Sequence, residues 1–315
     1  MTKMRFGIQT SINNVTWSEL ADMWRFLDTE TQFYSAWTFD HFVPPGAGQD
    51  INGSCFEGWS SLAALAAITS RIRLGCLVTG VTYREPAVLA KMAATVDHIS
   101  NGRLEFGIGA AWHEPEHAMY GIPFPPVRER QDRLEEAVQL IKLLFDSDGP
   151  VTFDGKYYHL KEAVFVPKCM QQPHPPIMIG GGGEKRTLRT LARYGDVMNV
   201  SGTPAMVQNK IDVLERHCRD VGRDLREIQK TVFTPVIVSE NERLIDRVAT
   251  MIGQGSSMSI EETKRVSPIG SPAHVRDVVE QYAAIGVNQI IMMAQAPWKR
   301  EIYQRVNDEV ISAFA

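Results

Sequence analysis

Two apolar spacings alternate along nearly the whole chain. Short apolar runs of strand length recur eight times, and apolar residues at helical spacing fill most of the segments between them. The predicted strands cover residues 5–9, 34–39, 73–78, 104–107, 177–179, 197–200, 231–238 and 289–293. The predicted helices cover residues 17–31, 56–68, 86–99, 128–145, 184–194, 204–221 and 272–285.

This alternation is typical of an α/β fold with parallel strands, because a helix between two strands returns the chain to the same edge of a sheet. Eight such units predict a (β/α)₈ TIM barrel. A doubly wound sheet is the competing fold. It would usually place a glycine-rich dinucleotide loop after the first strand, but residues 9–14 contain no glycine.

We expect a single domain over residues 1–315, with three insertions at approximately 113–127, 146–176 and 252–271. In the first insertion, prolines at 123, 125 and 126 exclude a continuous helix. The second contains a predicted hairpin over Val151 to His159, which turns at Asp154-Gly155. These segments interrupt the regular spacing without indicating a second domain.

The charge and the cysteine content limit the partners and the cellular location that we expect for this protein. The 33 basic and 37 acidic residues form no block of like charge, which argues against a nucleic acid or an anionic membrane as partner and favours a small-molecule substrate. The apolar stretch 62–68 is too short to span a bilayer. The four cysteines are far apart and include no CxxC pair, so we expect reduced thiols and a cytoplasmic protein.

Asp40 and His41 follow the second predicted strand. The carboxyl ends of barrel strands form the face that holds active sites, and histidine is the side chain best suited to move protons near neutral pH. The pair is therefore a candidate acid/base site. The alternative interpretation is an aspartate that caps a helix, followed by a packed histidine.

Glycines mark three further candidate loops. Gly80 ends the third predicted strand, and Gly107 and Gly109 begin a loop that runs to Trp112. Without side chains, such a backbone lets a flat ligand approach closely. Four glycines at 180–183 precede a predicted helix that begins with Lys185 and Arg186 in its first turn, an arrangement that can bind a phosphate. A loose turn is the alternative there.

Residues His113 to His117 match the HExxH pattern of zinc proteases. In those proteins both histidines face one metal from adjacent turns of a helix. Pro115 and the preceding glycine loop argue against such a helix here. We therefore interpret the segment as a loop and helix start near a ligand, and we expect no metal site.

These motifs together resemble the bacterial luciferase-like monooxygenase superfamily. The resemblance covers nearly the whole chain and is carried by residues 71–75, 79–90, 97–103, 107–112, 151–158, 173–177 and 180–183. Residues 39–42 and 57–59 look most like the branch that uses the deazaflavin coenzyme F420. The resemblance implies a TIM barrel, a cofactor at its C-terminal face and commonly a homodimer.

The resemblance also implies roles for individual residues. It places Asp40 and His41 beside the reactive ring as catalytic residues, and the ring over a bulge at Gly80-Val81, where relatives have a non-proline cis peptide. The implied cofactor contacts are Asp40, His41, Thr79, Gly80, Val81, Gly107, Gly109, Ala110, Ala111 and Trp112, with Gly180, Gly181, Gly182 and Gly183 at the phosphate. The implied substrate contacts are Trp59, Trp112 and His113.

The function implied is hydride transfer between F420 and a small organic substrate with an activated C=C or C=O bond, or the corresponding alcohol. His41, oriented by Asp40, would act as acid/base. Ala110 stands where related sugar-phosphate dehydrogenases have a catalytic glutamate, which argues against that substrate. One alternative is an FMN-dependent monooxygenase supplied by a separate flavin reductase. Another is a cofactor-binding protein that has lost catalysis.

Overall fold

The computed structural model describes residues 4–46, 48–253 and 258–314. Its strands are β1 Arg5–Thr10, β2 Ser35–Thr38, β3 Arg73–Cys76, β4 Thr79–Gly80, β5 Leu104–Gly109, β6 Val151–Asp154, β7 His159–Ala163, β8 Ile177–Gly180, β9 Val197–Val200, β10 Gln229–Thr234, β11 Ile237–Val238, β12 Ile269–Gly270 and β13 Gln289–Ala294.

The helices alternate with these strands. They are α1 Trp17–Thr29, α2 Gly58–Ala67, α3 Pro86–Ile99, α4 Glu114–Met119, α5 Val127–Asp146, α6 Thr187–Tyr194, α7 Pro204–Val221, α8 Glu242–Gly253, α9 Ile260–Val266, α10 Pro272–Ala284 and α11 Arg300–Glu309, with short 3₁₀ turns at Leu225–Glu227 and Ile311–Phe314. Where their residues are described, all seven predicted helices are present, two of them with the predicted bounds.

Eight strand positions close into a parallel barrel, which confirms the predicted TIM fold. The order around the barrel is β3, β2, β1, β13, β10, β9, β8 and β5, and β5 closes the ring by pairing with β3. β4 continues the position of β3 after a short break and also pairs with β5. The carboxyl ends of all eight positions therefore meet at one face, as active-site barrels require.

Two apolar clusters hold the barrel together. The larger one contains the side chains packed between the strands and the surrounding helices. The smaller one fills the barrel interior with side chains from different strands, namely Trp37, Leu77, Met178, Val197 and Ile291, with Val78 and Phe233 packed against it. This interior layer closes the barrel below the C-terminal face, so that face has a solid floor.

Several predicted boundaries differ from the structure. The predicted strand 231–238 is two strands, because Pro235 lacks an amide hydrogen for the ladder and β11 instead pairs with β12 in a separate sheet. The helix predicted from 184 begins at Thr187. The hairpin is present as β6 and β7, and its second strand extends to Ala163.

The three predicted insertions contain structure of their own. The first holds α4, the second the β6–β7 hairpin, and the third α9 and β12. Residues 254–257 of the third insertion, and the terminal residues 1–3 and 315, lie outside the described residues. Within the described part of the chain no helix is both long and apolar enough to cross a membrane.

Candidate functional site

A cavity of about 400 Å³ lies at the C-terminal face, between the ends of β4, β5 and β8. We call it the cofactor cavity. Its walls are mainly backbone and small side chains, and it includes Asp40, His41, Val78, Thr79, Gly80, Gly109, Ala110, Ala111, Trp112, Gly180, Gly181, Gly183 and Asn199. Eleven of the predicted cofactor contacts are therefore brought together around one space, whose volume is in the range of ordinary ligand sites.

Asp40 is buried at one edge of this cavity and is held by Arg84. The two Asp40 carboxylate oxygens accept hydrogen bonds from Arg84 Nη1 and Nη2 at 2.7 and 3.0 Å. The amide of Gly80 donates a third at 3.3 Å. Arg84 also donates to Glu57, which caps α2. Burial raises the pKa of Asp40, and the Arg84 guanidinium opposes that rise.

His41 is oriented by Glu116 and not by Asp40. His41 Nδ1 lies 2.7 Å from Glu116 Oε1, whereas the described residues show no hydrogen bond between Asp40 and His41. The predicted pairing of the two neighbours is wrong, because the Asp40 carboxylate is bound by Arg84 and the His41 ring by Glu116. An ionised carboxylate only accepts hydrogen bonds, so the His41 proton is on Nδ1 and Nε2 remains available to a ligand.

Glu116 is completely buried and receives several hydrogen bonds. The Tyr83 hydroxyl donates to Oε1, and the amide of Phe42 donates to Oε2 at 2.9 Å. Burial alone would raise the pKa of Glu116, but the hydrogen bonds from His41, Tyr83 and the Phe42 amide together lower it. The carboxylate is therefore ionised at neutral pH and fixes the His41 ring.

The two histidines of the HExxH pattern do not converge. His117 Nδ1 donates to the His113 carbonyl at 2.8 Å, and its Nε2 accepts from Thr82 at 2.7 Å. His113, Glu116 and His41 have ligand-type atoms within 4.8 Å of one another. The Glu116 carboxylate and His41 Nδ1 are already hydrogen-bonded to each other. The expectation that there is no metal site stays a prediction.

The glycine loop after β8 offers free amides, though fewer than the sequence indicates. The amide of Gly181 donates to the carbonyl of Asn199 at 3.0 Å and is used within the barrel. In the described part of the chain, the amides of Gly182 and Gly183 have no acceptor. Arg186 is directed to Asp132 instead of the loop. Two amides and the N-terminus of α6 are therefore left for an anion.

Besides Gly182, four predicted contacts do not line the cofactor cavity. Trp59 is in the core, where its indole donates to Thr79 Oγ1 at 2.8 Å and supports the cavity from behind. Val81 is also buried in the core. A side chain at Gly107 would meet the Cys76 carbonyl at 2.4 Å, so this glycine permits close strand packing. His113 lies behind His41, with ring centroids 5.6 Å apart.

The backbone irregularity also lies earlier than predicted. The non-proline cis peptide is between Leu77 and Val78, and Val78, rather than Val81, faces the cavity. Its side chain fills the space that a Cβ at Gly109 or Gly180 would need, at 2.8 and 2.7 Å. These two glycines therefore allow Val78 to form the floor of the cofactor cavity.

A second cavity of about 370 Å³, the reaction cavity, adjoins the first. Both include Gln9, His41, Leu77, Trp112 and Phe233 in their walls. Trp112 is 60% exposed and meets the His41 ring edge-on at 5.3 Å. His41 thus lies between the cofactor cavity, which is lined mainly by backbone, and the reaction cavity, which is lined by side chains. In this position it can contact two ligands at once.

The luciferase-like monooxygenase model matches residues 4–289. The chain belongs to the luciferase-like monooxygenase family.

Named relatives of this luciferase-like oxidoreductase include an F420-dependent glucose-6-phosphate dehydrogenase of Kineococcus radiotolerans, 30% identical over 92% of this chain and 91% of that protein. An uncharacterised Mycobacterium tuberculosis protein is 31% identical over 53% of this chain, and the match spans only 58% of that protein. An F420-dependent secondary alcohol dehydrogenase, solved with an F420-acetone adduct, has a TM-score of 0.82 at 21% identity over 98% of this chain and 99% of that chain.

Sequence reasoning missed two important side chains of the luciferase-like site. Glu116 occupies a variable position of the HExxH pattern, whose named glutamate is Glu114, and the pattern assigns it no role. Arg84 stands in the motif that carried the resemblance, although no role was assigned to it. Both act across long separations, 75 residues for His41 and Glu116 and 44 for Asp40 and Arg84, so that only the closed barrel brings them together.

Proposed function

We propose that this protein transfers hydride between coenzyme F420 and a small organic substrate, with His41 as the acid/base. The observation that carries the proposal is the position of His41 between the cofactor cavity and the reaction cavity, with Nδ1 bound to buried Glu116. The F420-dependent relative, which matches over 92% of this chain, supports the choice of cofactor.

The residues of the cofactor cavity fit a flat deazaflavin. Gly80, Gly109 and Gly180 keep its walls low, and Asp40 is paired with Arg84. The free amides of Gly182 and Gly183 would bind the cofactor phosphate at the start of α6. When bound, F420 supplies a carbon centre that accepts or donates a hydride.

The protein's part in the reaction is to hold the substrate and move one proton. In the reducing direction, the carbonyl carbon would receive a hydride from reduced F420, and the carbonyl oxygen would receive the Nε2 proton of a His41 ring that has first taken up a proton from solvent. In the oxidising direction, the alcohol gives its hydroxyl proton to Nε2 as the hydride leaves its carbon. Glu116 keeps the other ring nitrogen protonated throughout, so the same atom always faces the substrate.

A matched pair of histidine variants tests this role. His41→Asn should lower F420-dependent turnover of a panel of ketones, enones and alcohols by about 100- to 10,000-fold, the usual contribution of general acid/base catalysis. The control is His98→Asn, since His98 is exposed, lines neither cavity, and its ring Nε2 bonds to the Lys168 carbonyl. Binding of F420 is measured on both variants to show that the cavity is intact.

Unchanged turnover in His41→Asn would contradict the acid/base role. If no member of the panel consumes F420, while reduced FMN and oxygen give an oxygenated product, the hydride-transfer proposal is wrong and a two-component monooxygenase replaces it.

A further inference from the structure

The reaction cavity continues into a third space. A cavity of about 420 Å³ lies beside it, and the two share Phe233 and Met293 as walls. Four of the chain's 13 methionines line this third space, which we call the methionine cavity, namely Met206, Met251, Met258 and Met293. Methionine side chains are flexible and apolar, so they suit an apolar ligand of variable shape.

The described walls of these two cavities carry no formal charge. Among the described residues, their walls contain no lysine, arginine, aspartate or glutamate, and His41 is the only titratable group of the reaction cavity. The polar groups near His41 are carboxamides and hydroxyls, including Asn13, Asn14, Gln49 and Gln295. Such a site cannot compensate the loss of water around a charged substrate.

The methionine cavity is also separate from the phosphate-binding loop. The residues of that loop, Gly180 to Gly183, do not line it. Five described wall residues carry a hydroxyl group, and one of these, the Tyr282 hydroxyl, already donates to the Gly202 carbonyl at 2.7 Å. Apolar surface next to the reacting group is therefore left for the substrate.

We propose that the substrate is an uncharged carbonyl compound, or the corresponding alcohol, whose apolar tail lies in the methionine cavity. This inference rests on the proposed function. The reacting carbon lies next to His41, and the tail passes between Phe233 and Met293. Burial of each further methylene of the tail strengthens binding.

A series of ketones tests the proposal on protein loaded with oxidised F420, which cannot reduce them. Calorimetry with 2-butanone, 2-hexanone and 2-octanone should show Kd falling about fourfold per added methylene. The ion 7-oxooctanoate has the length of 2-octanone with a terminal carboxylate. It should bind at least about tenfold more weakly, because its charge would be desolvated without a partner.

Two methionine variants test where the apolar tail of the substrate binds. Met206 and Met170 are similarly exposed, at 44% and 45%, but only Met206 lines the methionine cavity. Met206→Lys should reduce the preference for 2-octanone over 7-oxooctanoate by about tenfold or more, because it adds a cation beside the tail. Met170→Lys should leave the preference unchanged.

A Kd that does not depend on chain length, or equal binding of the carboxylate, would overturn the proposal. Equal effects of the two lysine variants would also overturn the placement of the tail. A separate titration with F420 distinguishes a failure of the proposed function from a failure of this proposal. If F420 does not bind, the proposed function is wrong. The ketone series, repeated on the protein without F420, then still shows which ligands the cavities accept.

Discussion

At the scale of single residues, the site depends on one buried ion pair and one buried hydrogen-bonded pair, which share no member. Asp40 and Arg84 form the edge of the cofactor cavity, and Glu116 orients His41, the proposed acid/base. The sequence predicts Asp40 and His41 because they follow a strand. It cannot predict their partners, since the spacing of Arg84 and Glu116 along the chain carries no periodic signal.

Replacing Glu116 should affect the reaction through His41. In Glu116→Gln, the imidazole loses its anionic partner, so we expect turnover to fall about 100-fold. Glu114→Gln is the matched control, because Glu114 is exposed on the same helix.

The stability of the same variant gives an independent check. The pKa of Glu116 in the folded protein lies below its ordinary value of 4.5, so its contribution to stability is present above that pH and is lost as the pH falls through the lowered pKa. The difference in urea midpoint between wild type and Glu116→Gln should therefore shrink below pH 4.5. A pH-independent difference would show that the carboxylate is not the stabilising form.

Replacing Arg84 should be far more costly than replacing its partner. Arg84→Met leaves Asp40 buried without a counter-charge and should lower the free energy of unfolding by about 3–5 kcal/mol. Asp40→Asn should cost less, since Arg84 keeps Glu57. Urea unfolding measures both, and the double variant should be more stable than the sum of the single losses predicts. If the double variant lost as much free energy of unfolding as the two single variants together, a direct interaction between Asp40 and Arg84 would be contradicted.

At the scale of elements, the carboxylate of Asp28 stabilises the end of the barrel opposite the cavities. Asp28, in α1, accepts hydrogen bonds from the amides of Ser70, Arg71 and Ile72 at 2.7–2.8 Å, just before β3. Burial would raise the pKa of Asp28, but these amides lower it overall. The contact fixes α1 against the start of β3, on the side of the barrel away from the cavities.

Asp28→Ala should therefore reduce stability without affecting ligands. It leaves three amides without an acceptor, so we expect a loss of roughly 2–3 kcal/mol in the free energy of unfolding. The dissociation constant of F420 should stay within about twofold of wild type. A large loss of F420 binding with unchanged stability would contradict the view that this end of the barrel stabilises the fold while the opposite end binds ligands.

The sequence predicts the elements better than their ends. Helices α3 and α7 begin at prolines, which suit the first turn of a helix, and both have the predicted bounds. Helix α6 starts three residues late, because Glu184 and Arg186 pair with Lys210 and Asp132. The helices α4, α8, α9 and α11 were not predicted from the apolar pattern.

At the scale of the whole molecule, the alternation of strands and helices is enough to predict the barrel, since eight parallel strands with right-handed crossovers close in few ways. The cavities cannot be predicted this way. Their walls depend on which side chains of distant strands meet at the closed face, as Phe233 and Met293 do. The homodimer stays a prediction, which light scattering checks against twice the chain mass of 35.3 kDa.

Titration of the purified protein with F420 and, separately, with FMN tests the central claim most directly. The account predicts tight F420 binding and much weaker FMN binding. It also predicts that Gly183→Val, whose side chain would crowd Thr187 at the phosphate loop, weakens F420 binding without unfolding the protein. A preference for FMN, or no binding of either cofactor, would contradict F420-dependent hydride transfer at His41.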